Sequence, residues 1–138
     1  MSWKHAFWIG LVLLASGCSA AGDSKQADEA NSRFYQQVAA KQYAAVYQDA
    51  APEFQNAMTS ATYLGLMQRI DRKLGACGPP VKAFDWHANA TTDGFFQSQG
   101  YTRTCANGQL GETVTMVVRN GHAKLAGYYA RSPLLLTD

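Results

Sequence analysis

Apolar and polar positions in the first part of the chain follow a helical period. Between Ala27 and Gly75, apolar side chains recur at spacings of three and four, which places them on one side of successive turns. Pro52 suits a first helical turn and not a helix interior. The pattern therefore predicts a helix from about Ala27 to Ala40, a shorter one over Tyr43 to Asp49, and a turn at Pro52 to Ala57.

A further helix is predicted before the first group of glycines and prolines. Ser60 is typical of an N-cap residue. An apolar stripe follows at helical spacing, and Gly75 with Gly78, Pro79 and Pro80 marks its end. The stripe consists of Tyr63, Leu64, Met67, Ile70 and Leu74.

From Val81 onward the apolar period changes to two, which is typical of strands. Three dipeptides that favour tight hairpin turns separate four such runs. The turns are Asp93-Gly94, Asn107-Gly108 and Asn120-Gly121, and the runs are Val81 to Ala90, Phe95 to Cys105, Leu110 to Asn120 and His122 to Arg131. The order predicts an α+β domain with N-terminal helices packed on one face of a curved four-stranded antiparallel sheet.

Two segments resemble members of the nuclear transport factor two-like superfamily. They are FYQQVAAKQYAAVY, with its Lys-Gln-Tyr junction between two helices, and the terminal strand AKLAGYYARS. The resemblance covers roughly Ala27 to Ser132 and is closest to small uncharacterised secreted bacterial members. It implies a cone of helices against a bent sheet, and a homodimer through the open sheet face, since relatives often dimerise there. A cystatin-like or other helix-plus-meander fold is the alternative.

The N-terminus has the features of an export leader. A short basic region with Lys4 and His5 precedes the apolar run from Ala6 to Ala15. About ten apolar residues are too few to span a bilayer, which needs roughly twenty. Residues 1–17 are therefore predicted to be a signal peptide.

The end of this leader resembles the lipobox of bacterial lipoproteins. Small residues precede Cys18, which the resemblance makes the lipidated, palmitate-bearing N-terminus. Ala15 stands where the family most often has Leu, so cleavage by an ordinary signal peptidase is the alternative. Ser19 after the cysteine implies the outer membrane, facing the periplasm, of the bacterial cell envelope. Stable anchoring needs more than one acyl chain, which lipoprotein processing supplies.

Small and polar residues follow Cys18, with no large apolar side chain before Phe34. Such a composition predicts a flexible tether over residues 18–26. The remaining residues, 27–138, are long enough for a single domain.

Charge and cysteine content narrow the possible partners. The formal charge of +2 falls to +1 without Lys4, because eleven basic then face ten acidic residues. The Arg69, Arg72 and Lys73 cluster is interrupted by Asp71 and is typical of a solvated helix face, so no nucleic-acid partner is expected. Besides Cys18, two cysteines are left in an oxidising compartment, which predicts a disulfide between Cys77 and Cys105. No metal site is expected, because CxxC spacing and a nearby histidine pair are absent from the sequence.

Two sets of strand residues are candidates for function. Asp85 and His87 share one face of the first predicted strand, and Arg103, Glu112 and Lys124 have matching parity. Acid-base chemistry, which superfamily relatives perform in the mouth of the cone, would use Asp85 or His87. The favoured interpretation is a solvated outer face with ordinary cross-strand charge pairs.

The opposite parity is predicted to lie under the helices, either as plain core or as the lining of a candidate pocket. Its members are aromatic residues and threonines that suit an amphiphilic cavity: Phe84, Trp86, Phe96, Thr102, Thr115 and Tyr129. No sequence motif for a cofactor or a covalent nucleophile is evident. The first hypothesis is thus a non-enzymatic envelope lipoprotein that binds a small apolar or amphiphilic molecule or docks another envelope protein. The second is an isomerase or lyase.

Overall fold

The computed structural model describes residues 20–138, apart from the side chains of Ala20, Phe84 and Asp85. The predicted leader and the lipidation site Cys18 lie outside the described residues. Four helices precede four strands: α1 (Ala20–Ala39), α2 (Tyr43–Asp49), α3 (Pro52–Ala57), α4 (Ser60–Leu74), β1 (Val81–Thr91), β2 (Gly94–Cys105), β3 (Gly108–Arg119) and β4 (His122–Arg131). A short 3-10 turn, Pro133–Leu135, follows. The predicted α+β class is confirmed. No helix within residues 20–138 is long and apolar enough to cross a membrane.

Helix α1 begins at Ala20, earlier than predicted, so the expected tether over residues 18–26 is wrong from residue 20 onward. Four of the residues from 20 to 26 are good helix formers: Ala20, Ala21, Lys25 and Gln26. The added turns also have partners. Ser24 Oγ donates to Gln97 Oε1 of β2 at 2.8 Å, and Ala27 is completely buried. These contacts stabilise a segment that has few apolar residues of its own.

Helices α3 and α4 begin differently from the prediction. Pro52 occupies the first turn of α3, where the sequence predicted only a turn. Thr59, and not Ser60, caps α4, because its hydroxyl accepts from the Thr62 backbone N–H at 3.2 Å. Gly75 ends α4 with a φ of 72°.

The strands form one antiparallel sheet in the order β1-β2-β3-β4, as the three turn dipeptides predict. Pairing of β2 with β3 is unbroken, whereas the other two pairs are irregular. On β4, Gly127 pairs with Thr115 and Leu125 pairs with Met116, which leaves Ala126 as an extra residue. On β1 the register shifts between Lys82 and Trp86. Such bulges change which residues face the helices.

The hydrophobic core lies between the helices and one face of the sheet, the inner face. The helices contribute mainly aromatic and long aliphatic side chains, and the sheet contributes apolar residues from β3 and β4. Fully buried examples are Phe54, Tyr63, Met67, Leu74, Leu110, Val114 and Met116. Strand β2 differs, because several of its inward residues are polar: Gln97, Gln99 and Arg103 are all buried. This polar inner face decides where a site can form.

Candidate functional site

The residues predicted to line a pocket under the helices do not form one. Thr102 and Tyr129 are exposed, and Thr115 shares a hydrogen bond with Ser98 on the outer face of the sheet. Phe96 alternates with the buried Phe95 and Gln97 and so also points outward. The parity was misassigned because polar residues on β2 were expected to face water. The Ala126 bulge adds a second error, since it separates Tyr129 from the inward Leu125.

The other two members of the predicted pocket, Phe84 and Trp86, lie on β1. The Phe84 side chain lies outside the described residues. Trp86 pairs with Gln99, whose side chain is inward, and its own side chain remains 58% exposed at the edge of the sheet.

The residues of the enzyme hypothesis are not brought together. His87 is exposed and pairs with Ser98 of the outer face, and Lys124 is exposed. The Asp85 side chain lies outside the described residues. His87 therefore does not enter an apolar cavity, as a general base of that hypothesis would need to do.

Arg103 and Glu112, expected on the solvated face, instead form an ion pair inside the molecule. Arg103 Nε and Nη2 donate to the two Glu112 carboxylate oxygens at 2.8 Å each. Their side chains are 9% and 0% exposed. Tyr128 OH donates to Oε1 at 2.6 Å and Tyr35 OH to Oε2 at 3.2 Å, while the Arg103 guanidinium lies 5.5 Å from the Tyr35 ring centre.

This cluster is organised for structure and not for proton transfer. Each Glu112 oxygen already accepts two hydrogen bonds, so no substrate proton has a free oxygen to reach. Burial, reinforced by the neighbouring Glu112 carboxylate, raises the pKa of Tyr35 and of Tyr128. Both phenols therefore stay neutral and remain donors to the carboxylate.

A groove runs between α1 and β1, with β2 as its floor; we call it the α1–β1 groove. It comprises two adjoining cavities of about 340 and 530 Å³ that share Asp28 and Lys82 as lining residues. Trp86 lines the smaller cavity, and Asn31 and Tyr35 line the larger one. Both volumes lie within the range usual for small-molecule sites. The register shift on β1 lies along this groove.

Asp28 organises the polar floor of the α1–β1 groove. Its Oδ1 accepts from Gln97 Nε2 and from Gln99 Nε2, at 3.1 Å each. Lys82 Nζ lies 3.5 Å from the same oxygen. Because a carboxylate only accepts, both glutamine amides must turn their NH₂ groups toward Asp28. Their oxygens then face away from it.

The orientation of the two glutamines determines that of their neighbours. Gln97 Oε1 accepts from Ser24, and Gln99 Oε1 accepts from Asn31 Nδ2 at 3.3 Å and from the Tyr101 hydroxyl. Burial raises the pKa of Tyr101 to about 12, so its phenol remains a donor at neutral pH. Asn31 must therefore present its NH₂ to Gln99, and its oxygen points elsewhere.

Asn31 Oδ1 is buried and has no hydrogen-bond partner among the described residues. The residue is 3% exposed and lines the larger cavity. A buried acceptor that lacks a donor costs about 1–3 kcal/mol. An unpaired acceptor on a residue that lines a cavity points to a donor that a ligand would supply.

Two other cavities offer less. One of about 390 Å³ between α1, α2 and β4 has Phe34, Met116 and Leu125 among its lining residues. Another of about 490 Å³ beside the C-terminal residues is lined by Leu135 and contains one unpartnered buried atom, Ser132 Oγ. Neither combines converging polar groups with an unpartnered buried acceptor and an exposed indole, as the α1–β1 groove does.

Sequence patterns did not indicate that the polar residues of this groove face inward. Gln97, Gln99 and Tyr101 alternate along β2, and polar residues in such an alternation are normally expected to face water. Asp28 and Asn31 lay next to the predicted tether. A signal was present in Trp86, which was assigned to a pocket, although to a different one.

No protein-family model matches this chain, and no curated protein matches it significantly. The fold and the geometry of the groove are therefore the basis for any assignment of function.

Proposed function

We propose that the protein is a lipid-anchored envelope protein that binds a small molecule in the α1–β1 groove and does not transform it. The observation that carries the proposal is Asn31 Oδ1, a buried acceptor without a donor on a residue that lines the larger cavity. A ligand donor to this oxygen would remove the energetic cost of an unpaired buried acceptor.

The chemistry of the groove favours binding over catalysis. Its floor consists of amides and hydroxyl groups, which hydrogen-bond but do not exchange protons readily near neutral pH. The two charged side chains are paired, since Lys82 Nζ lies 3.5 Å from Asp28 Oδ1. The alternative remains an acid-base isomerase or lyase, and it now depends on Asp85 alone, because His87 is exposed on the outer face.

The lining of the groove favours an amphiphilic ligand over a purely apolar one. Amide, hydroxyl and carboxylate groups form one part of it, and Ala39, Pro79 and Pro80 line the larger cavity. A purely apolar ligand would leave Asn31 Oδ1 without a donor.

The proposal also includes an address and a family. The leader and Cys18 support lipidation and a periplasm-facing position on the outer membrane. The helices packed on an antiparallel meander are compatible with a cone of the nuclear transport factor two-like superfamily.

The test of binding is an NMR titration of the detergent-solubilised full chain with a small-molecule extract of the bacterial envelope. We expect the side-chain amide signals of Asn31, Gln97 and Gln99 and the Trp86 indole signal to shift. Trp86→Ala should weaken the affinity by about tenfold, which corresponds to about 1.4 kcal/mol. The aromatic contact contributes about 1 kcal/mol of this, and the area it buries contributes the rest.

Tyr129→Ala is the matched control. Tyr129 is 63% exposed, close to the 58% of Trp86, but it lies on the outer face of the sheet. It should leave the titration unchanged. Absence of any shift at the groove residues, or equal effects of the two variants, would contradict the proposal.

A further inference from the structure

We infer that the ligand of the α1–β1 groove is a neutral saccharide, with a sugar ring against Trp86 and its hydroxyls toward Asn31, Asp28 and Lys82. The inference rests on the proposed function and narrows it to one chemical class. It follows from the polarity of the unpartnered atom, the charges of the lining and the exposed indole.

The unpartnered atom selects a donor. Asp28 orients Gln99, Gln99 orients Asn31, and Asn31 is left with an oxygen that only accepts. A phosphate, sulfate or carboxylate group brings acceptors and would leave this oxygen unpaired. A hydroxyl group both donates and accepts, so it can satisfy Asn31 Oδ1 and still interact with a neighbouring donor.

The charges of the groove favour a neutral ligand. Asp28 and Lys82 line both cavities, and Lys82 Nζ lies 3.5 Å from Asp28 Oδ1. Because the two charges lie close together, their fields largely cancel at the distance of a ligand, so neither an ammonium nor an anionic group gains a net attraction.

Trp86 supplies an apolar surface beside the polar floor. Its side chain is 58% exposed and has no hydrogen-bond partner among the described residues, so both its ring and its indole N–H are available. A sugar ring has hydroxyls around its edge and C–H groups on its faces. It can therefore cover the indole with one face while its edge reaches the partly exposed Asp28 and Lys82, which line the same cavity.

The experiment is calorimetric titration of the detergent-solubilised full chain with defined probes. Maltotriose and N,N′,N″-triacetylchitotriose represent neutral saccharides, and adenosine, inorganic phosphate and decanoate represent the competing classes. We expect a saccharide to bind, and phosphate and decanoate not to bind. Trp86→Ala should weaken saccharide binding by about tenfold, and Tyr129→Ala should not change it.

A second variant separates binding from folding. Asn31→Leu removes the unpartnered oxygen, while Gln99 Oε1 keeps the Tyr101 hydroxyl as a donor. We expect its urea midpoint to equal or exceed that of the unchanged protein, because no buried acceptor is left unpaired. Saccharide binding should nevertheless weaken by about tenfold. A variant that binds saccharide normally would overturn the inference.

The outcomes distinguish this inference from the proposed function. Binding of adenosine, phosphate or decanoate in the groove without saccharide binding would overturn the saccharide class and leave small-molecule binding intact. The same holds if only the envelope extract shifts the groove signals. If neither the extract nor any probe binds there, both the proposed function and the saccharide inference are wrong.

Discussion

The buried pair of Arg103 and Glu112 shows how side-chain partners decide the orientation of a strand. Four hydrogen bonds from Arg103, Tyr35 and Tyr128 saturate the carboxylate inside the core. Removing one ion of a buried pair leaves the other charge uncompensated, which costs far more than the intact pair contributes. Loss of one partner therefore lowers the stability of the fold by more than the intact pair adds to it.

We predict that Arg103→Met lowers the free energy of unfolding by about 3–5 kcal/mol, because Glu112 then stays buried without its cation. Urea unfolding followed by circular dichroism measures the change. The double variant Arg103→Met with Glu112→Leu should recover part of the loss, because both charges are gone, although the Tyr35 and Tyr128 hydroxyls lose their acceptor. If the single variant loses less than about 1 kcal/mol, the range typical of surface pairs, the burial of this pair is incorrect.

Sequence patterns predicted some of these residues and not others, for a physical reason. Cys77 and Cys105 were paired correctly because they are the two cysteines left once Cys18 is set aside. Arg103 and Glu112 were placed on the wrong face because alternation reveals two faces without saying which is buried. Polar residues usually mark the wet face, but here tyrosines and α1 satisfy them inside.

At the scale of elements, local signals were strong enough to predict the order and type of most of the structure. The turn dipeptides set three hairpins, and Gly75 marked the end of α4. Bulges were not predicted, because the extra Ala126 leaves no break in the apolar pattern, although the adjacent Gly127 is a recognised bulge signal. The bulge and the polar floor together moved the predicted pocket to the wrong face.

Replacing either of two glycines by alanine, one within α4 and one at its C-terminal end, should change the free energy of unfolding in opposite directions. Gly75 has a φ of 72° and a ψ of −157°, and an added Cβ would lie 3.1 Å from the Ala106 Cβ. We expect Gly75→Ala to lower the free energy of unfolding by about 1–3 kcal/mol, because only glycine adopts this conformation without strain.

Gly65 is the matched control within the same helix. A Cβ there would meet nothing within 4 Å, so Gly65→Ala should raise the free energy of unfolding by about 0.4–1 kcal/mol. Urea unfolding of both variants measures the pair of effects. Changes of the same sign would contradict the conformation of Gly75.

At the scale of the whole molecule, the early start of α1 links the groove to the proposed anchor. Ser24 and Asp28, which lie in the first half of α1, line the smaller cavity. Only a few residues separate Ser24 from Cys18, and a chain extends at most about 3.3–3.6 Å per residue. A lipidated Cys18 would therefore hold this end of the groove close to the membrane surface, where it would meet ligands of the envelope.

The disulfide ties the other end of the domain together. Cys77 follows α4 and Cys105 ends β2, and the two residues also form an isolated antiparallel bridge. Backbone hydrogen bonds flank it, from Gly78 N to Thr104 O at 2.8 Å and from Ala106 N to Ala76 O at 2.9 Å. The bond thus joins the helical layer to the β2–β3 hairpin, and it should form wherever the envelope is oxidising.

One intact-mass measurement tests the anchor and the disulfide on the same sample. Protein purified from its native membrane should have the mass of residues 18–138 plus acyl groups, because leader cleavage precedes Cys18 in the proposed processing. Denaturation with reductant should add about two hydrogen masses, since one disulfide opens. An unlipidated mass that begins elsewhere would remove the anchor, and with it the membrane-proximal position of the groove. An unchanged mass on reduction would remove the disulfide and leave the link between α4 and β2 to the flanking backbone hydrogen bonds alone.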